Sequence, residues 1–512
     1  MEKPHPKTTS SHSPIRNEQG IKLEPQPNGP KDPLTWPLSK KIITLAIISF
    51  CAFVGQAQAQ ASTAGIEIQA ELYHKTPTEL SYGTSAGAAG IATGPIFWLA
   101  LSNYIGRTAT MFWALLGALG CSIWSSAMTG QGDYVAFVVS RWAGAHFGSV
   151  GSTFGASVIL EVFYLHQRGK AFACYTTSIL FGVNLGATIS GFIAGSAPWP
   201  AQYWYFIGVQ GICIILVSLL LEDTTYDRQN QQKGRPTSQP PPTYLHRRLQ
   251  LLFAGHRTIS PSPIPHGPLD SIVIGLQPIT ILCGLFSLIT FGWAVAVTVL
   301  VPVFLQTPVS QGGYGFTPTA NASFSFVTWI SAAFGQLYGL LCNDRIPLWR
   351  CRRNGGVWKP EFRLWPALLP HVFLLPIGLG IFGAALQYHL PWEVLALGIL
   401  LLQISEIAVT PIVVNYVSEC FVAHPSEVFV MLQFYRLVLG CTVAFFINPW
   451  VDAVGAGWTF GMMAFFCLVG FAVMGVLEWR GGVIRGWSMA KFGHSEEGEG
   501  LFRSGTEEAE KE

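Results

Sequence analysis

Residues 393–418 read EVLALGILLLQISEIAVTPIVVNYVS, with only two charged positions, Glu393 at the start and Glu406 in the middle. A hydrocarbon layer roughly 30 Å thick is crossed by about 20 apolar residues in helical form, and this run exceeds that length. A carboxylate midway along such a helix is costly in lipid, so it calls for a partner or a wet cavity. The stretch predicts a membrane-crossing helix with a functional question at its centre.

Similar runs fill the chain on either side. They lie near residues 42–64, 80–102, 108–128, 134–160, 171–195, 203–221, 272–305, 319–341, 366–387, 393–418, 428–449 and 457–478, which predicts twelve spans. The seventh run is long enough to tilt or to begin late. Trp36, Trp199, Trp204, Trp365, Trp392, Trp450, Trp458 and Trp479 fall at or near span ends, where an amphipathic indole prefers to sit. Composition agrees: half of the 512 residues are hydrophobic and 11% are charged. A soluble domain carries roughly 25% charged residues, so an ordinary soluble enzyme is excluded. A net charge of +2 argues against a nucleic-acid partner. The ten cysteines form no CxxC pair or metal-like cluster, and they read as packing thiols. The first apolar run starts at Ile42, too late for a cleaved leader, and is expected to stay as a helix.

Charge tests the span count independently. With the N-terminus in the cytoplasm and sides alternating, Arg141 and Arg436 fall inside spans and Lys75 alone among the 30 Lys and Arg falls outside the cell. All the rest lie on the inner side, as the positive-inside rule requires. The predicted organisation is a disordered cytoplasmic tail (1–40), a six-helix bundle (41–221), a cytoplasmic linker (222–271), a second six-helix bundle (272–479) and a cytoplasmic tail (480–512). The linker contains QNQQKGRPTSQPPPTY, which cannot form a packed core. Its second part, about 243–257, sets Leu245, Leu249, Leu252 and Phe253 among Arg247, Arg248 and Arg257; it reads either as a helix on the inner membrane surface or as a solvated loop. Basic loops after spans 2 and 8, and charged positions in spans 4, 10 and 11, recur in both halves. Duplicated halves around a polar midline suit alternating access.

Several motifs now bear on kinship. SNYIGRT (102–108) resembles the G-x-x-x-D-x-x-G-R-[RK] loop of the major facilitator superfamily, matching at Gly106 and Arg107, with Asn103 at the acidic position. SRWAGAHFGSVGSTFGASVILEVFYLHQRGKA, starting at Ser140, resembles the fourth-span pattern of fungal members through Arg141, Gly144, Gly148, Glu161, His166, Arg168 and Gly169. RRNGGVWKPEFRLW (352–365) looks like the RNGG-x-x-x-PE-x-RL loop of the fungal 12-span drug:proton antiporter-like branch. DPLTWPLSKK (32–41) and LEDTTYDR (221–228) resemble its approach to span 1 and its exit from span 6. The antiporter element G-x-x-x-G-P-x-x-G-G appears as GVNLGATISG (182–191), which keeps Gly182, Gly186 and Gly191 but replaces the proline with Ala187. The resemblance implies an all-α membrane fold of two pseudo-symmetric six-helix bundles, and transport of a small organic substrate.

Each candidate residue carries two readings. Arg141 either ties together loop carbonyls near the outer surface or controls an acid or substrate anion, and Arg436 has the same alternatives. Glu406 is a proton carrier or substrate-cation site, or else a buried structural carboxyl. Glu161 and Glu419, at cytoplasmic span ends, suit gate salt bridges more than proton transport. Gln56 and Gln60 share a helical face while Gln58 points elsewhere. With Asn184, Gln403, Asn415 and Trp329 they either line a cavity or bond between helices. Asn103, Gly106 and Arg107 belong to the gating loop, and Gly182, Gly186 and Gly191 read as helix contact.

No HExxH, Walker or dinucleotide-binding pattern is present, so catalysis has little support, and no cofactor is expected. The chain reads as a secondary transporter: a proton-coupled exporter of drugs or fungal secondary metabolites, or a proton-coupled importer of an organic nutrient. A multi-pass membrane enzyme is the remote alternative. Expected partners are a small organic substrate, protons and the lipid bilayer, with no nucleic acid. A monomer in the plasma membrane with both termini cytoplasmic is the expected setting.

Overall fold

A computed structural model describes residues 32–224, 248–254 and 270–489, together with Pro27 and apart from Ser62, Ala64, Val357, Val422 and Ala423. Residues 1–26 and 28–31 of the expected N-terminal tail, most of the linker and residues 490–512 lie outside the described residues. Every regular element among the described residues is a helix. Eleven are long and apolar enough to cross a membrane. They are span 1 (Leu38–Ala59), span 2 (Pro77–Ile105), span 3 (Arg107–Ala127), span 5 (Lys170–Ser196), span 6 (Ala201–Leu220), span 7 (Pro278–Gln306), span 8 (Pro318–Arg353), span 9 (Pro360–Gln387), span 10 (Trp392–Cys420), span 11 (Pro425–Val454) and span 12 (Ala456–Ser488). Span 4 is built from two shorter helices, Tyr134–Gly148 and Val150–Val162, that meet at Ser149. The twelve expected crossings are therefore present.

Local chemistry explains the interruptions. Span 9 opens as a tight turn (Pro360–Ala367), widens over Pro370–Leu374 and becomes α-helical at Leu375–Gln387. Pro360, Pro366, Pro370 and Pro376 each lack the N–H that a regular helix needs. Span 7 begins late, at Pro278, after a separate short helix Asp270–Gly275. The last helix runs to Met489, ten residues past the expected end of the second bundle, so part of the expected tail is helical. Between spans 2 and 3 a single residue, Gly106, turns the chain at φ 89°, a region that glycine enters without steric penalty.

Neighbour relations repeat with a shift of six. Span 1 packs on 5, 2 on 4, 3 on 4 and 3 on 6; likewise 7 packs on 11, 8 on 10, 9 on 10 and 9 on 12. Each half has its own apolar interior. One centres on Cys51, Phe154, Tyr175 and Cys213, the other on Leu375, Phe382, Leu402 and Phe460. The halves meet along spans 2 and 11 and along spans 5 and 8, again a pair related by the same shift.

Small residues permit these approaches. A Cβ on Gly186 would lie 2.6 Å from the Cα of Ala57, and one on Gly182 2.5 Å from the Phe53 carbonyl oxygen. These glycines set spans 5 and 1 in backbone contact, which is how membrane helices gain dispersion energy. Gly191 is also buried. Gly186→Val should destabilise the fold by about 3 kcal/mol, because the obstacle is backbone. A thermal unfolding series in detergent checks this; an unchanged transition would mean that the two helices part freely.

Candidate functional site

The stripe of span 10 that carries Gln403, Glu406, Thr410 and Val414 faces spans 7 and 11. Opposite stripes settle the direction: Ile404 and Ile407 meet Gly335 of span 8, while Gly398 and Leu402 meet Gly378 and Phe382 of span 9. Gln403 Nε2 donates to Thr298 Oγ1 of span 7 at 3.0 Å. One turn below Glu406, Thr410 and Val414 line a small cavity of about 20 Å³ with Ser287, Thr290, Phe291, Leu432, Gln433 and Arg436. That volume accommodates about one water molecule.

Arg436 is the unusual member. Its guanidinium stacks over the Phe291 ring, 3.9 Å from the centroid. Its Nε is sealed from solvent and makes no hydrogen bond. Among the described residues no carboxylate comes within 4.0 Å of it. The acidic group with which it interacts electrostatically is Glu406. A cation–π contact contributes about 2 kcal/mol at best. Taking a cation out of water costs several. The arginine therefore depends on an anion nearby.

Arg141 has a different setting. It is 5% exposed, and its guanidinium donates to the Ala59 carbonyl at 2.8 Å and the Gln58 carbonyl at 3.2 Å. These carbonyls close span 1, and that of Gln58 also accepts from the Ala61 backbone N–H at 3.0 Å. A third, longer contact reaches the Tyr203 hydroxyl at 3.5 Å. Arg141 thus joins span 4 to the end of span 1 through helix-end carbonyls rather than loop ones.

At the face that carries the Lys- and Arg-rich loops, here the basic face, each half is stapled by an analogous pair. Arg107 holds Glu161 with both guanidinium nitrogens, Nη2 to Oε1 at 2.7 Å, and also reaches Thr224. In the second half Arg363 holds Glu419 and Asp344, both at 2.8 Å. Both pairs lie within one half, so they rigidify a bundle rather than latch the two together. Contacts that do cross are the hydrogen-bonded Ser157 and Ser426, and Arg107 acting on the buried Glu427 of span 11. Glu427→Gln should raise the reactivity of a Ser157→Cys thiol from the basic face several-fold; an equal rate would remove this contact from gating.

On the opposite face the crossing contacts are neutral. Asn448 Nδ2 donates to Thr78 Oγ1 at 2.8 Å, and Thr188 and Ser325 share a hydrogen bond at 2.6 Å. Trp329 Nε1 donates to the same Thr188 at 3.2 Å and stands edge-on to Phe181. Trp329 is thus part of this clasp. Asn184 is half-buried one turn below it, its carbonyl accepting from Thr188. Gln56 is buried beside Gly182, and Gln60 and Asn103 are half-buried. Asn415 is exposed two turns below Glu406.

Sequence reasoning passed over two features. Gln58, on the other face of span 1, closes a ring with Ser122 and Gln210 through bonds of 2.7–2.9 Å, satisfying all three inside the first bundle. The i, i+2 offset from Gln56 was the available signal. Glu427, in HPSE, is 5% exposed although its surroundings read as a loop.

The family profile described as Major Facilitator Superfamily matches residues 45–441. The chain belongs to the major facilitator superfamily. It is a transporter rather than an enzyme. The efflux pump radE of Floropilus chiversii is 25% identical over 470 residues, covering 90% of this chain and 84% of that protein. The uncharacterized transporter mfc1 of Schizosaccharomyces pombe is 25% identical over 453 residues, 85% of this chain and 88% of its own. Among solved structures, the xylose transporter XylE of E. coli in a partially occluded inward-open conformation aligns with TM-score 0.60 at 14% identity, over 86% of this facilitator and 98% of that chain. The last likeness concerns the fold.

Proposed function

We propose that this facilitator is a proton-coupled carrier of small organic solutes, with Glu406 as the proton site. The observation that supports it most is the six-shifted set of inter-span contacts, with Arg436 lining a small mid-span cavity one turn from Glu406. Two interfaces related by that symmetry can open alternately while the site between them stays put. In this reading the basic face is cytoplasmic, the tails 1–40 and 480–512 and the linker 222–271 lie there, and the carrier works as a monomer in the plasma membrane. Arg107–Glu161 and Arg363–Glu419 keep each half rigid while it rocks.

Efflux of drugs or secondary metabolites is the first reading, and the naming of the relative radE as an efflux pump supports it. Uptake is the second, and it has an observation of its own, because Arg436 beside Glu406 is ill suited to a cationic solute competing with a proton. Vesicles with an imposed pH gradient and a metabolite panel separate the two. Accumulation against the proton flow supports efflux by exchange, accumulation with it supports uptake, and indifference to pH removes proton coupling.

A further inference from the structure

Net charge at the centre of the second bundle limits what this site can hold. With Glu406 ionised, the pair Glu406/Arg436 is neutral. With Glu406 protonated and nothing added, one unit of positive charge remains on a half-buried guanidinium, stacked on Phe291 and unbonded at its sealed Nε. That state is unfavourable by the cost of an uncompensated charge. It becomes neutral again only if an anion joins Arg436. Among monovalent solutes, then, two loaded conditions are electrically balanced: empty with ionised Glu406, or protonated with an anion on Arg436.

Among the described residues packed around the pair, no other charged group alters this count. Span 7 has no charged side chain. From span 9, His371 is engaged at both ring nitrogens, by Thr290 at 3.0 Å and the Cys467 carbonyl at 2.9 Å. Its Glu361 and Arg363 are paired with Arg485 and Glu419 toward the basic face. Tyr338 of span 8 donates to the Pro366 carbonyl, and Tyr435 of span 11 to that of Gly275. In the first bundle, Arg141 is taken up by the end of span 1. Thr290, Thr410 and Gln433 supply hydrogen-bonding groups around Arg436, and Phe291, Val409, Val414 and Leu432 supply apolar wall.

We propose that an organic anion with an apolar body binds Arg436 together with a proton on Glu406, so that solute and proton travel in the same direction. This rests on the proton-site reading above and selects uptake between its two directions. The proton comes from the aqueous phase onto a carboxyl oxygen, and no other bond forms or breaks. By reciprocity, the proton tightens the anion by the same factor as the anion tightens the proton, a coupling of roughly 5–150-fold. The cavity has room for about one water molecule in the present closed arrangement. Parting of spans 7 and 11 from the first bundle is what admits the solute.

The test uses the full chain in nanodiscs and two probes with the same aromatic body and permanent charge: naphthalene-2-sulfonate and (naphthalen-2-yl)trimethylammonium. Their charge does not titrate, so pH acts on the protein alone. The sulfonate should bind at least about fivefold tighter at about pH 6 than at about pH 8. Glu406→Gln should hold it at the tight value at both pH values, Arg436→Gln should abolish binding, and Arg436→Lys should restore part of it. An ammonium probe that binds more tightly as pH rises, and loses that dependence in Glu406→Gln, overturns the anion and keeps the proton site. Binding that ignores pH in the wild type removes both. Failure of the sulfonate to bind at either pH overturns the proposed solute class.

Discussion

Glu406→Gln is expected to insert and fold normally yet lose all accumulation driven by a pH gradient. The amide keeps the shape and a hydrogen-bonding group, so the stripe with Gln403 and Thr410 stays packed. What disappears is the ability to exchange a proton between the two faces. One pH unit is worth about 1.4 kcal/mol per proton, or a tenfold solute ratio. A carrier coupled to one proton should therefore fall from about tenfold accumulation per unit to equal concentrations on both sides, while exchange of labelled for unlabelled solute continues. Vesicle assays with and without the gradient read both quantities. Full coupled accumulation in the variant would move the proton site to Glu161 or Glu419.

Arg141→Met is expected to unfold the carrier rather than uncouple it. Methionine fills similar space but removes the donor to the Ala59 carbonyl and the second donor to the Gln58 carbonyl at the buried end of span 1. An orphaned buried acceptor costs about 1–3 kcal/mol, and loss of the charge-assisted bond to Gln58 adds to it. Arg141→Lys, with one ammonium for two carbonyls, should recover part of it. The measurement is yield and melting temperature of purified protein, compared with transport per folded molecule. A variant that is stable but fails to transport would restore Arg141 to the coupling machinery.

Much of the architecture was legible because hydrophobicity and charge are the constraints a bilayer imposes. The twelve runs, and the single basic residue opposite the basic face, Lys75, follow from the cost of polar groups in lipid. The pairing of Glu161 and Glu419 with loop bases was also foreseeable from position, although their confinement to one half each was not, since linear sequence does not say which bundle supplies the base. Span 4's break at Ser149 escaped notice because apolar content continues unbroken through it. The helix beyond Trp479 was missed for the opposite reason. WRGGVIRGWS loses its apolar continuity, but a helix does not stop where the membrane does. Neither Gln58 nor Arg436 could be placed by period alone: a helical wheel separates faces without saying which one meets a neighbour.

The two closures between the halves are made of different material. On one side hydroxyls, an amide and an indole meet, Thr78 with Asn448 and Thr188 with Ser325 and Trp329. On the other, Ser157 and Ser426 share a hydrogen bond, and full charges, Arg107 and Glu427, attract each other across the seam. Dissolved electrolyte weakens attraction between full charges over a screening distance of about 8 Å at physiological ionic strength, and leaves dipoles nearly untouched. Because Glu427 is buried in the closed seam, salt on the Arg107 side should act on this attraction only once the seam has parted, slowing its reclosure, whereas salt on the far side should change little.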